Sequence, residues 1–181
     1  MFPGGVTKDS GQPCVCRISR DKYRQITTFV DYCRMRDIPF RIAGPKVSAS
    51  TVGRLKKDYG LDSTHFIGRL DNTVEYLSAH AGEYLFVAGV GQVILEAGSL
   101  GYPCYLTSDL GVANSTFLTQ DNIHGNFGNN FTLAFKMDDG GALQEHELNV
   151  DALWKYNISE DIKEKFDIRR RIDEYMDYVF V

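Results

Sequence analysis

What this 181-residue chain lacks narrows its chemistry first. Its four cysteines, Cys14, Cys16, Cys33 and Cys104, have no metal-ligand spacing. Cys-x-Cys on a strand sets both side chains on one face, so buried, reduced thiols are expected, and no metal. The four histidines, His65, His80, His124 and His146, pair with no acids at ligand spacing, which leaves them structural or solvent roles. His124 alone falls in a polar loop, Asn122-Ile-His-Gly-Asn, on the expected ligand side. The longest uncharged apolar stretch, Tyr84 to Leu95, is too short and too Gly-rich to span a bilayer. Met-Phe-Pro-Gly-Gly at the start has neither a basic region nor an apolar core, so no secretory signal is expected and a cytoplasmic place fits. A net charge of −4 gives no reason to expect nucleic acid as partner. Internal repeats and low-complexity runs are absent.

What is there is an ordinary globular composition, 43% hydrophobic and 24% charged, enough for one α/β domain with a core. Phe2 to Gln12 is Gly- and Pro-rich and reads as a linker or tail (residues 1–12), with the domain over 13–181. Pro13 to Ser19 reads as a strand, and Asp21 to Asp37 as a helix with Tyr23, Ile26, Phe29, Val30 and Cys33 at helical spacing. Ile38 to Ala43 is a second strand, closed by Gly44-Pro45. Ser48 to Tyr59 is a helix, capped by Ser48 or Ser50 and stopped by Gly60. Thr64 to Ile67 is a short strand ending at Gly68, and Asp71 or Asn72 caps a helix to about Ala79. Leu85 to Ala88, a helix from Gly91, and Pro103 to Thr107 complete the alternation. Short apolar strands alternating with helices imply a parallel, doubly wound sheet with helices on both faces.

After Ser108 the pattern changes. Gly111 to Asn130 is expected to be largely loop, Phe131 to Lys136 a last strand, and Asp138-Asp139-Gly140-Gly141 a turn. Asn149 to Trp154 reads as a short helix. Ser159 to Val179 reads as a long one with an apolar stripe for this domain or a neighbour. Arg169-Arg170-Arg171 is a solvated face with some attraction for anionic lipid.

The most informative stretch runs from Tyr84 to Pro103. A buried strand meets Gly89-Val90-Gly91, and a helix follows with Glu96 in its second turn before Gly101 and Pro103 stop it. Such a turn offers backbone N–H groups and a positive dipole end to an anion, and a carboxylate beyond it can accept from sugar hydroxyls. In an open parallel sheet, ligands sit beyond the carboxyl ends of the strands. Arg17 and Lys22 flank the first of those ends, where two cations beside a helix start would neutralise a leaving pyrophosphate.

Val15 to Lys22 (Val-Cys-Arg-Ile-Ser-Arg-Asp-Lys) resembles the Gly-Arg-Leu-Ser-x-x-Lys segment of the C-terminal, donor-binding domain of GT-B glycosyltransferases of the family-4 type. His65-Phe-Ile-Gly68 with the helix after it resembles their strand-Gly-helix segment. Leu85 to Pro103 resembles their Glu-x-x-Gly-x-x-x-x-Glu-Ala-x-x-x-Gly-x-Pro block. The three segments stand in the family's order over Pro13 to Asp109.

The resemblance implies a Rossmann-like fold and the donor half of a hexosyltransferase, cut from a longer chain and inactive in isolation. It implies Arg17 and Lys22 as catalytic residues on the donor diphosphate, and Gly68, Arg69 and Leu70 near the base, largely through the backbone. Gly89, Val90, Gly91 and Gln92 would approach the phosphates or donor sugar, and Glu96 the ribose. A UDP- or GDP-linked sugar would be a substrate, with no cofactor. The partners implied are a missing N-terminal acceptor domain and an acceptor sugar or lipid-linked glycan, in surface polysaccharide or glycolipid synthesis at the inner membrane face. Two departures stand out: the family's first glutamate falls on Ala88, and the Gly before the first arginine is Cys16. Two other readings stay open, a non-catalytic binding or interaction domain on the same fold, and half of a sugar-nucleotide epimerase.

Overall fold

The structure, a computed structural model, describes residues 12–15, 18–44, 47–127, 131, 149, 152 and 155–166, with backbone alone for 12–14 and 126–127. Arg17, Cys16, the strand expected after Phe131, the turn at 138–141 and the far part of the last helix lie outside the described residues.

The chain folds as α/β around one six-stranded mixed sheet. Its strands are β1 (Gln12–Val15), β2 (Phe40–Gly44), β3 (Phe66–Arg69), β4 (Val87–Gly89), β5 (Cys104–Leu106) and β6 (Thr116–Phe117). They lie in the order β3-β2-β1-β4-β5-β6. Five run parallel; β6 turns back antiparallel along β5, pairing Phe117 with Tyr105. Consecutive strand residues fall in different apolar clusters. Ile42, Ala88 and Tyr105 join the cluster containing helices α1 (Tyr23–Met35) and α2 (Ala49–Tyr59). Ala43, Val87, Cys104 and Leu106 join the one containing α3 (Thr73–Ala79), α4 (Gln92–Ser99) and α6 (Ser159–Phe166). Among the described residues no helix is long and apolar enough to cross a membrane.

Local chemistry explains the boundaries. Ser48 Oγ accepts from the Thr51 N–H at 3.4 Å, satisfying one orphan donor at the start of α2, and Gly60 ends that helix with φ 61°. Asn72, rather than Asp71, caps α3 by accepting from the Glu75 N–H at 3.1 Å. The helix expected from Asp21 begins as a single 3₁₀ turn, Arg20–Lys22, and becomes α-helical at Tyr23. The buried stripe of α1 is Ile26, Phe29, Val30 and Cys33, as its periodicity requires. Cys33 and Cys104 are free and buried, and burial pushes both thiols far above their ordinary range, so they serve as small apolar groups.

The segment expected to be loop differs most. Residues 111–127 hold the strand β6 and a short helix, α5 (Ile123–Phe127). The strand is only two residues long, and nothing in its composition marks it. It exists because Phe117 inserts into an aromatic cluster, 4.8 Å from Tyr105 and 5.2 Å from Phe86 between ring centroids. Asn122 finishes this corner, donating to Phe117 O and accepting from Thr119 N, both at 2.9 Å.

Phe86 occupies the middle of that cluster, edge-on to Phe29, Tyr32, Tyr105 and Phe117. Phe86→Ala is expected to lower unfolding free energy by about 3–5 kcal/mol, since both transfer and cavity terms are lost. Met35→Ala, at a side chain 70% exposed, should change it by no more than about 0.5 kcal/mol. Urea titration of the two variants reads the difference, and equal midpoints would contradict this core.

Candidate functional site

The sheet order determines where a ligand could sit. From β1 the chain builds outward through β2 and β3, then returns to the other side of β1 with β4. In open sheets where the strand order reverses in this way, ligands sit beyond the carboxyl ends of the two central strands, here β1 and β4. The β1–α1 connection carries Arg17 and Lys22, and the β4–α4 turn carries Gly89 to Gly91.

Gly89 is held against β1. A Cβ on it would stand 2.8 Å from the Val15 carbonyl oxygen and 3.0 Å from a Val93 methyl, so only glycine fits between strand and helix. Gly91 takes φ 61° and ψ −130°, a conformation closed to side-chain-bearing residues, and α4 starts directly after it. The Gly91 N–H is already used, donating to Phe131 O at 3.0 Å. The amides of Gln92 and Val93, in the first turn of α4, have no acceptor among the described residues. The donors open to an anion thus begin one residue later than the glycine turn itself suggests.

Glu96 follows on α4, half-buried. One of its oxygens accepts from Gln92 Nε2 at 2.7 Å, so the two predicted residues form a single hydrogen-bonded unit one helical turn apart. The Glu96 Oε2 atom has no partner among the described residues. Val90, half-buried, packs on the cluster of α3 and α4 and offers the ligand side only its backbone. Ala88 is fully buried, among Phe86, Tyr105 and Ile18. A glutamate there would place an unpaired carboxylate in an aromatic core, which explains why the position is apolar.

Lys22 closes the 3₁₀ turn, its N–H donating to Ser19 O at 3.0 Å, and stands at the start of α1. Arg17 lies outside the described residues. Gly68, Arg69 and Leu70 stand at the end of β3, the sheet edge, two strands and roughly 10 Å from β1. Gly68 takes φ 97°, Leu70 is buried and donates its N–H to Gly44 O at 2.9 Å, and Arg69 pairs with exposed Asp71 at 2.9 Å. These three stand at the carboxyl end of the edge strand and do not join Gly89, Gln92 and Glu96. Among the described residues, no three His, Cys, Asp or Glu side chains gather as a metal site. His124 faces Asp161 of α6 at 3.8 Å.

Sequence reasoning missed a charged cluster between α1 and α2. Tyr23 Oη donates to Asp58 Oδ2 at 2.8 Å, and Arg54 Nε donates to the same oxygen at 3.1 Å. The Arg54 guanidinium also lies 4.1 Å above the centre of the Tyr23 ring. Only the i,i+4 spacing of Arg54 and Asp58 was a signal; Tyr23 is 35 positions away. The Tyr23 hydroxyl stays neutral to unusually high pH: burial first, then the Asp58 carboxylate, push it up from 10.0 to about 12. The hydroxyl of Tyr23 and then the Arg54 guanidinium hold Asp58 below the ordinary carboxylate range.

The sign of that linkage gives a test. A proton held more tightly folded than unfolded supports the fold below the unfolded value and is lost through the folded one, so stability should fall between pH 10.0 and about 12. Tyr23→Phe should flatten part of this alkaline decline in urea titrations across the window. An unchanged slope would remove Tyr23 from the linkage.

Compared with known proteins, the chain matches no family model, no curated protein and no solved structure.

Proposed function

We propose that the chain is the donor-binding domain of a GT-B glycosyltransferase of the family-4 type. In this reading the sheet is a Rossmann-like doubly wound one with helices on both faces, and the domain works within a longer chain as a hexosyltransferase. The observation that carries the reading is the β1–β4 switch point, where Gly89 lies against Val15 and the free Gln92 and Val93 amides begin α4. A nucleoside-diphosphate sugar, UDP- or GDP-linked, would lay its phosphates on those amides. Lys22 and Arg17 would neutralise the diphosphate as it leaves the anomeric carbon, which is where charge develops in the displacement. Glu96, oriented by Gln92, would accept from ribose hydroxyls through its second oxygen. Charge-assisted hydrogen bonds of this kind contribute about 1.5–3 kcal/mol each. The acceptor, a sugar or lipid-linked glycan at the inner face of the membrane, would be presented by a separate N-terminal domain. No cofactor is required, because the sugar nucleotide is itself the substrate.

Ala88 favours a second reading, a domain that keeps the nucleotide but has lost discrimination for the sugar. Its side chain is wholly inside the core and has no polar atom to offer a donor sugar. Gln92 is the remaining side chain on this turn able to do so.

Isothermal titration with UDP, GDP and their glucose conjugates tests both. Saturable binding is expected, weakened about tenfold by Glu96→Ala and by Lys22→Ala, each removing one charged hydrogen-bond partner. If neither diphosphate binds, and the two variants match the parent, the donor-domain reading is wrong. Equal affinity for UDP and UDP-glucose selects the degenerate sugar pocket.

A further inference from the structure

A second recess, of about 610 Å³, opens on the outer side of α1, bounded by α2 and the chain after β5. It is separate from the α4 turn, and none of the residues assigned to the donor above lines it. Three guanidinium groups reach it, from Arg20, Arg24 and Arg54. Arg54 is fixed in advance, because Asp58 holds its Nε and the Tyr23 ring lies under its plane. Among the described residues no carboxylate pairs with its two terminal nitrogens, which present the fork that matches a carboxylate. Arg20 and Arg24 make no side-chain ion pair among the described residues.

The same walls carry the carboxylates of Asp21, Asp31 and Asp109. Three cations and three anions line the recess, and Asp58 stands behind Arg54 as a further anion, so it gives a polyanion no net attraction. A molecule with a single carboxylate and several hydroxyls fits better. Guanidinium takes the acid, and Asp31 and Asp109, acceptors only, take hydrogen bonds from the hydroxyls, while Asp21 already accepts from Ser19 Oγ at 2.6 Å. Thr27 and buried Thr28 add hydroxyls, although that of Thr27 already donates to Arg24 O at 2.9 Å. Leu110, 56% exposed, offers an apolar contact for the C–H face of a ring.

We infer that this recess between α1, α2 and the chain after β5 binds an acidic saccharide, a uronate-type sugar whose carboxylate is gripped by Arg54 and Arg24. The inference stands apart from the donor reading, since it uses neither the α4 amides nor Glu96.

The full chain, labelled with ¹⁵N, is titrated with glucuronate, glucose, inorganic phosphate and, in a separate series, UDP, at matched ionic strength. Amides of Thr27, Thr28 and Gly111 report the recess, while those of Gln92 and Val93 report the donor turn. Glucuronate is expected to give saturable shifts in the first set, at an affinity about tenfold or more above that of glucose or phosphate. Arg54→Gln and Arg24→Gln should each weaken glucuronate about fivefold or more. Arg24 is exposed and makes no side-chain ion pair among the described residues, so its variant keeps the fold and decides the matter if Arg54→Gln unfolds. No saturable shift at the recess overturns the inference. So does phosphate or glucose binding as tightly as glucuronate, or full affinity in Arg24→Gln. A failure of UDP to shift Gln92 and Val93 leaves it standing.

Discussion

The carbonyl of Val15 and the α-carbon of Gly89 meet at the middle of the sheet, and the possible binding surfaces are arranged around that contact. A Cβ at residue 89 would lie 2.8 Å from the carbonyl oxygen, closer than packed atoms tolerate. β4 pairs with β1 at this point, in the Cys14–Ala88 register. The pairing also sets α4 close behind the strand, since a Val93 methyl stands 3.0 Å from the same point. A tight strand–helix turn and an exposed helix start are two results of one steric requirement.

The packing around this centre decides which residues are available to chemistry. On β4, Val87 goes to the cluster of α3, α4 and α6, and Ala88 to the aromatic cluster beneath α1 and α2. Ala88 therefore answers to Phe86 and Tyr105 before it answers to any ligand, and desolvating a carboxylate there would be costly. The polar groups of this region stand on α4 instead, where Gln92 and Glu96 share a hydrogen bond and the Gln92 and Val93 amides have no acceptor among the described residues. The Gly91 N–H is absorbed by Phe131 O, which ties the chain after α5 to the turn.

Much of this was legible where the cause is local. The 3–4 spacing of Ile26, Phe29, Val30 and Cys33, the Ser48 cap and the positive φ at Gly60 depend on residues a few positions apart. So does the run of short apolar strands between helices, which implied the parallel pairing of β1 to β5. The two-residue strand β6 was not legible, because it depends on Phe117 finding Tyr105 and Phe86 across the fold. The Tyr23–Asp58 bond was hidden for the same reason, since it joins two helices through side chains 35 positions apart. At the candidate site the glycines and Glu96 stood out from the pattern. Which amides stay free could not be read, because that turns on Phe131 O reaching Gly91.

Helix α1 links these features mechanically. The 3₁₀ turn before it carries Arg20 and Lys22, and Arg20 lines the recess together with Arg24 of α1. The Tyr23–Asp58–Arg54 cluster fastens the start of α1 to α2, with two hydrogen bonds converging on one carboxylate oxygen beneath a stacked guanidinium. An exposed ion pair such as Arg54–Asp58 contributes little to stability by itself. Its physical consequence here is orientation, because it removes rotational freedom from Arg54 and from the start of α1 together. Ordering a long cationic side chain before any ligand arrives reduces the entropy lost on binding.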